Sequence, residues 1–182
     1  MQIEIISSSM RLQSLSYRVA LHLQQQGSKL YPSINFGLID LRHHVFPLID
    51  TVYKEQSQAP VSLQPVAARI FDASGFIIVT PEYNGSYAPA VKNMFDHFPK
   101  QSRKAFGIVT ASEGAMGGMR AAMQLQQLIP ALFGIASPQM LVVPQMTNKF
   151  DENGNLVDTT FEKSVKTFMD EYVWLATQLK KR

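Results

Sequence analysis

The chain has 182 residues, 46% of them hydrophobic and 17% charged, which is typical of one globular domain, and we expect a single domain over residues 1–182. It contains no cysteine, which excludes disulfide bonds, thiolate metal ligands and a cysteine nucleophile. The net charge is +3, but the basic residues are scattered and cluster only at Lys180, Lys181 and Arg182, which favours a solvated helix end over a nucleic-acid surface.

The first element is a strand at residues 2–6, and the amino-terminal stretch MQIEIISSS lacks the charged lead and the long apolar run of a secretory signal. No run of about 20 apolar residues follows anywhere, so we expect no membrane partner and a cytoplasmic protein. A helix should come next, because Leu12, Leu15, Val19 and Leu23 recur at helical spacing and Gly27 is placed to end it.

The loop between this strand and this helix reads SSSMRLQSLS over residues 7–16. A hydroxyl-rich loop before a helix is a phosphate-binding arrangement, since free N–H groups and the positive end of the helix dipole meet an anion. Arg11 can add a charge-assisted hydrogen bond. The alternative is that these serines only cap the helix.

A second strand is predicted at residues 33–41 and a second helix at residues 61–73. The segment between them, residues 42–60, has no clear periodicity and carries His43 and His44. No third metal ligand lies at an informative spacing, so we predict no metal site. The segment is interpreted as a surface loop or as a wall of a substrate pocket.

Residues 75–79 form a short run of bulky side chains, typical of a strand buried on both faces of a parallel sheet. A polar loop follows at residues 81–86, and Pro89 can then open a helix that carries Val91, Met94, Phe95 and Phe98 on one face. This loop should lie at the carboxyl edge of the sheet, where open α/β sheets bind ligands.

The fourth strand is predicted at residues 104–111, a helix at residues 121–133 with Gly134 ending it, and the fifth strand at residues 140–143. Acidic and amide residues at 151–162 are spaced partly like a calcium loop, but Leu156 stands where glycine is needed, which favours a turn. Thr159 and Glu162 can form a capping box before a closing helix that carries Phe161, Val165, Phe168, Tyr172, Leu175 and Leu179.

Three loops together resemble those of the NADPH-dependent FMN reductase family, which includes quinone, azo-dye and chromate reductases. The first loop matches the family pattern GS-x-R-x-x-S-x-N at Ser9, Arg11 and Ser14, with Ser8 in place of glycine and Ser16 in place of asparagine. The second reads PEYN followed by glycine, and the third resembles SxGGxGG followed by arginine, with Ala115 replacing one glycine.

The resemblance implies an α/β fold, a flavodoxin-like doubly wound five-stranded parallel sheet of order 2-1-3-4-5 with helices on both faces. That order also puts the first and second loops on the two sides of a topological switch point. It implies FMN as cofactor, NADPH or NADH as co-substrate, and a homodimer or homotetramer. The cofactor-binding residues that it implies are Ser9, Arg11, Ser14, Ser16, Pro81, Glu82, Tyr83, Asn84, Gly85, Ser112, Gly114, Gly117 and Gly118.

The expected function is therefore an FMN-dependent NAD(P)H oxidoreductase that passes hydride to a quinone, an azo compound, a metal oxyanion or a free flavin. Since the flavin performs the hydride chemistry, no catalytic side chain is assigned. A flavodoxin-type electron carrier is the alternative, although the basic net charge and the absence of a TxTGxT loop speak against it. Tyr83 could also serve a subunit interface, and Arg120 the cofactor, the interface or neither.

Overall fold

The computed structural model describes residues 1–180, so Lys181 and Arg182 of the predicted basic helix end lie outside the described residues. Strands and helices alternate along the chain. The strands are β1 Gln2–Ser7, β2 Asn35–Asp40, β3 Gly75–Thr80, β4 Glu82–Tyr83, β5 Ser86–Tyr87, β6 Ala105–Ala111, β7 Ile135–Ala136 and β8 Leu141–Val143. The α-helices are α1 Leu15–Leu30, α2 Gln64–Asp72, α3 Pro89–Asp96, α4 Met119–Ala131 and α5 Glu162–Lys180.

The main sheet is parallel and has the order β2-β1-β3-β6-β7, with β8 also paired to β6. The fifth position is shared by two short strands. β7 pairs with Ala105 and Phe106 at the start of β6, and β8 pairs with the stretch from Val109 to Ala111 at its end. The predicted order 2-1-3-4-5 is thereby confirmed, with the fifth strand in two pieces.

Helices cover both faces of the sheet, as expected. Successive side chains of β3 point to opposite faces, so Phe76 and Ile78 join one core while Ile77 and Val79 join the other. The first core is completed by α2, α3 and α4, and the second by α1 and α5. Since every residue of β3 is buried, this strand lies at the centre of the molecule.

The prediction for the first helix was wrong at both ends. Ser14 is its N-cap, so the helix begins at Leu15, and Leu12 lies in the preceding loop with 90% of its surface exposed. Gly27 does not end the helix, which continues to Leu30. A Cβ atom on Gly27 would stand only 2.8 Å from the Phe36 ring, so this glycine serves the close approach of α1 to β2.

Two other predicted helix boundaries were also wrong. Asp158, not Thr159, caps the 3₁₀ turn that leads into α5, because its carboxylate accepts the Thr160 N–H at 3.1 Å. Helix α4 ends at Ala131 rather than at Gly134, and the residue with left-handed backbone after it is Phe133, at φ 60°. None of the helices within residues 1–180 has both the length and the apolar composition needed to cross a bilayer.

Replacing Gly27 by alanine should lower the free energy of unfolding by about 1–3 kcal/mol, because the added methyl group overpacks the Phe36 ring. In an unobstructed helix the same change stabilises by roughly 1 kcal/mol. Urea denaturation measures the difference. Ser28→Ala on the exposed side of α1 is the control and should be neutral or slightly stabilising, whereas a Gly27→Ala protein at least as stable as the parent contradicts the prediction.

Candidate cofactor-binding cleft

Three loops follow β1, β3 and β6 at the carboxyl edge of the sheet, and we call them the first loop (8–14), the second loop (81–88) and the third loop (112–118). They border one cleft of about 270 Å³. Its lining residues are Ser9, Arg11, Gln13, Ser14, Leu15, Ser16, Pro81, Glu82, Tyr83, Ala111, Ser112 and Glu113. The predicted convergence of the three loops is therefore present.

The first loop ends in a helix cap. The Ser14 Oγ accepts the backbone N–H of Tyr17 at 3.3 Å and lies 3.2 Å from the Ser16 Oγ, in the first turn of α1. The capping interpretation of Ser14 is thus correct. It leaves the open amino end of a 16-residue helix at the cleft, where the N–H groups of the first turn and the helix dipole favour an anion.

Tyr83 joins the second loop to the first. Its hydroxyl lies 2.9 Å from the Ser9 Oγ, and the Arg11 guanidinium stands over its ring at 4.6 Å from the centroid. The Ser9 Oγ also accepts the Arg11 N–H at 3.4 Å. Arg11 forms no ion pair within residues 1–180, so its charge is available to a ligand.

The second loop is a small hairpin that was not predicted as one. β4 and β5 are antiparallel, and the turn residues Asn84 and Gly85 both have positive φ, at 51° and 82°. Asparagine followed by glycine is the preferred sequence for such a turn. At the base of the loop the Thr80 hydroxyl accepts the Ala88 N–H at 2.9 Å and donates to the Pro81 carbonyl, which fixes the hairpin to β3.

Two carboxylates border the cleft, and protein donors hold both. Glu82 accepts the backbone N–H of Arg120 at 3.2 Å, at the start of α4, and lies 3.5 Å from the Arg120 guanidinium. Glu113 accepts the N–H and hydroxyl of Thr147 at 3.0 and 2.6 Å. Because their charges are directed at these donors, the cleft can still accept a phosphorylated ligand.

The glycines of the third loop have structural roles. Gly117 and Gly118 have φ of 61° and 87°, and a Cβ atom on Gly117 would stand 2.6 Å from the Val142 side chain. Gly118 is also the N-cap of α4. Gly117 therefore packs the third loop against β8, and Gly118 lies against Thr110 and opens the next helix. Their contact with a ligand stays a prediction.

Of the predicted binding residues, eight border the cleft, and these are Ser9, Arg11, Ser14, Ser16, Pro81, Glu82, Tyr83 and Ser112. Asn84 borders an adjoining cleft of about 660 Å³ that also contains Arg11, Tyr83 and Lys92. Gly85, Gly114, Gly117 and Gly118 line neither of these two clefts. Sequence reasoning missed Gln13, Leu15, Ala111 and Glu113, although each directly adjoins a predicted contact or ends a predicted strand.

The segment after β2 docks beside the first loop. The Asn93 amide of α3 donates to the carbonyls of Phe46 and Pro47 at 3.2 and 2.7 Å, so this asparagine braces the segment. His97 is fully buried and packs at tilted angles between the rings of Phe46 and Tyr53. Burial lowers the pKa of His44 in the same segment, so its imidazole is neutral at pH 7.

A separate cavity of about 490 Å³ lies between α1 and α5 and contains none of the predicted residues. His22 lies there with its Nδ1 2.8 Å from the Gly154 carbonyl, and burial lowers its pKa. No group of three or more potential metal ligands occurs within residues 1–180. The predicted binding residues therefore lie at or beside the cleft where the three loops meet, and not in this cavity.

Several buried hydroxyls at the same edge have no hydrogen-bond partner among the described residues, and they bear on whether these residues fit FMN. The Ser8 Oγ of the first loop, with the Ser7 Oγ and Thr110 Oγ1 at the ends of β1 and β6, has no hydrogen-bond partner in the described chain. Buried polar groups normally have partners. Hydroxyls, a free guanidinium and a helix amino end form a donor set that suits a phosphate on a polyhydroxylated chain, so the residues fit FMN.

A doubly wound parallel sheet whose main strands have the order 2-1-3-4-5 defines a flavodoxin-like α/β protein. A sequence model of the NADPH-dependent FMN reductase family matches residues 1–148, and the chain belongs to that family. It is an FMN-dependent NAD(P)H oxidoreductase.

Individual relatives agree with this assignment. A 2-hydroxy-1,4-benzoquinone reductase of a Burkholderia species is 30% identical over 184 residues, covering 94% of both chains. An NAD(P)H-dependent FMN reductase of Pseudomonas aeruginosa is 31% identical, covering 86% of this chain and 85% of its own. In fold, the chain resembles a flavoenzyme NAD(P)H:(acceptor) oxidoreductase from Paracoccus denitrificans, with a TM-score of 0.79 at 21% identity and 97% coverage of both chains.

The contact between Tyr83 and Ser9 predicts an energetic coupling between two loops that are far apart in sequence. Tyr83→Phe and Ser9→Ala should each lower the free energy of unfolding by about 1 kcal/mol, because each removes the same hydrogen bond. The double variant should lose less than the sum, with a coupling energy of roughly 0.5–1 kcal/mol in urea denaturation. Tyr83→Phe combined with Ser28→Ala is the control and should be additive. Additive losses for Tyr83 and Ser9 would show that the contact contributes nothing.

Proposed function

We propose that the cleft formed by the three loops holds FMN and that the enzyme uses it to reduce quinones with NAD(P)H. The observation that carries the proposal is the convergence of the three loops on one cleft, in a chain of this family. The quinone class is favoured because a relative similar along almost the whole chain is a benzoquinone reductase. Azo compounds, metal oxyanions and free flavin are the other acceptors that the family resemblance implies.

We assign the phosphate of FMN to the first loop. Arg11 supplies a free positive charge, Ser9 and Ser14 supply hydroxyls, and α1 supplies the N–H groups of its first turn. Ser16 lies against Ser14 and adds a second hydroxyl to the same corner. The net charge of +3 favours the approach of both phosphorylated molecules, FMN and NAD(P)H.

We assign the ring system of FMN to the second and third loops. Pro81 and Tyr83 offer flat surfaces beside the cleft, and the hairpin holds them in a fixed position through Thr80. Residues 84 and 85 form the tip of that hairpin, and Ser112, Gly114, Gly117 and Gly118 belong to the third loop. FMN held there would supply the hydride chemistry between the nicotinamide and the acceptor.

The protein residues orient and sequester the reactants, and no side chain is assigned as an acid or base. The two carboxylates beside the cleft, Glu82 and Glu113, already accept hydrogen bonds from Arg120 and Thr147. They therefore support the loops. The segment 42–55, braced by Asn93, is assigned as a wall on the acceptor side.

We also propose that the protein self-associates as a homodimer or homotetramer. Support comes from large apolar side chains that are exposed near the cleft, among them Leu12, Val45 and Leu48, the last with 87% of its surface exposed. Light scattering coupled to size-exclusion chromatography measures the state. A cytoplasmic location is part of the proposal and is supported by a reductant, NAD(P)H, that cells keep in that compartment.

The proposed function is tested by purifying the full chain, saturating it with FMN and following NADPH or NADH oxidation with a panel of acceptors. We expect a yellow protein that the nicotinamide bleaches, and turnover with benzoquinones at a higher kcat/KM than with azo dyes. Failure to take up FMN overturns the proposal. Bleaching by the nicotinamide without turnover of any small acceptor would instead favour the electron carrier.

Arg11→Ala should weaken FMN binding by about 10-fold to 100-fold, the range expected for losing one charge-assisted hydrogen bond. Fluorescence titration of the flavin-free protein measures this change. Lys163→Ala, on the exposed face of α5, removes the same charge away from the cleft and should leave the affinity unchanged. Equal affinities for the Arg11→Ala and Lys163→Ala proteins would show that the first loop does not hold the phosphate.

A further inference from the structure

Arg42, two residues after β2, connects three parts of the molecule beside the first loop. Its Nε and Nη2 donate to both oxygens of Asp40, at 2.9 and 2.5 Å to Oδ2. Its Nη1 donates to the main-chain carbonyl of Leu12 at 2.9 Å, and its guanidinium lies over the Tyr17 ring of α1 at 4.4 Å. The end of β2, the first loop and the first helix therefore share one side chain.

The bond to the Leu12 carbonyl fixes the orientation of a peptide group. A trans peptide is planar, so its carbonyl and the following N–H point in opposite directions. Holding the Leu12 oxygen towards Arg42 therefore directs the Gln13 N–H away from Arg42. Gln13 borders the cleft that the three loops form.

Leu12 itself contributes no packing that could hold this peptide group, since its side chain is almost entirely exposed. The loop is anchored before this peptide by Ser9, which contacts Tyr83, and after it by the Ser14 cap. Between these anchors Arg42 provides the fixed contact. Its own position is fixed because Asp40, to which it is hydrogen-bonded, is buried at the end of β2, opposite Ser7 of β1.

We propose that Arg42 is a positioning residue for the cofactor phosphate, acting through the Leu12–Gln13 peptide group rather than by touching the ligand. The inference rests on the proposed assignment of the FMN phosphate to the first loop. Each nitrogen of its guanidinium already donates within the protein, to Asp40 or Leu12, whereas Arg11 keeps its charge free. In this arrangement Arg11 binds the phosphate, and Arg42 orients a backbone donor towards it.

The test compares FMN with riboflavin, which has the same ring and sugar chain but no phosphate. Fluorescence titration of the flavin-free full chain gives both dissociation constants. The dissociation constant of riboflavin divided by that of FMN measures recognition of the phosphate. Arg42→Met should weaken FMN binding by about 10-fold, as expected for one misdirected donor, and leave riboflavin binding unchanged. The ratio should therefore fall, which a general loss of stability would not produce.

Three further variants make the result specific. Arg42→Lys keeps the charge but cannot reach Asp40 and Leu12 together, so its ratio should fall as far as that of Arg42→Met. Asp40→Asn weakens the contact that holds Arg42 without removing Arg42 itself. Its ratio should also fall, and it provides the measurement if the Arg42 variants do not fold. Lys166→Met breaks an exposed ion pair with Asp170 on α5 and should keep the ratio of the parent protein.

The outcomes separate this inference from the proposed function. If the parent protein binds FMN more tightly than riboflavin and the folded Arg42 and Asp40 variants keep the same ratio, Arg42 has no positioning role. Arg42 also has no positioning role if those variants lose affinity for FMN and for riboflavin by the same factor. If the parent protein itself binds both flavins equally, the phosphate assignment fails, and this inference fails with it.

Discussion

The register of the parallel strands is the constraint on which the site depends. Ser7 of β1 lies opposite Val79 of β3, and Thr80 of β3 lies opposite Thr110 of β6. Because these strands are parallel and in register, the three loops that follow them emerge at one edge and at the same height. A shift of one residue in β3 would exchange its two buried faces, so the packing of both cores enforces the register.

The loops are held by contacts with one another, which limits the entropy lost when a ligand binds. Thr80 ties the hairpin to its strand, Tyr83 ties the hairpin to Ser9, and Glu82 ties it to the start of α4. A loop that is already ordered needs less free energy to adopt the bound conformation. The cleft is therefore a fixed feature of the fold, although its parts lie up to about 100 residues apart in sequence.

The sequence predicts the strands and the three loops because both depend on local patterns, and the sheet order follows from the resemblance of those loops to the family. Buried strands read as apolar runs, and polar loops follow them at the edge that parallel topology defines. It does not predict contacts that depend on tertiary packing. Gly27 looks like a helix end until the ring of Phe36 is seen against it, and Leu12 matches the helical period although the cap at Ser14 excludes it from the helix.

The sequence also does not predict polar contacts between residues far apart in the chain, for a physical reason. The bond between Tyr83 and Ser9 spans 74 positions, and nothing in either local sequence indicates the partner of its hydroxyl. The buried Glu4 illustrates the same limit, since a carboxylate in the middle of an apolar strand is tolerated only because Arg69 of α2 reaches it. Gly37 on β2 leaves the space that this ion pair occupies.

The two departures of the first loop from the family pattern have a common consequence. Ser8 stands for a glycine and is buried with an unpartnered hydroxyl, while Ser16 stands for an asparagine and contacts the capping Ser14. Each serine has a small polar side chain that can donate a hydrogen bond. Compared with the family pattern, the chain gives up backbone freedom at residue 8 and the longer amide at residue 16, and it gains a short hydroxyl at each position. Under the proposed assignment, the phosphate meets several short donors and the fixed peptide groups between them, so its affinity should depend on how firmly those peptide groups are oriented.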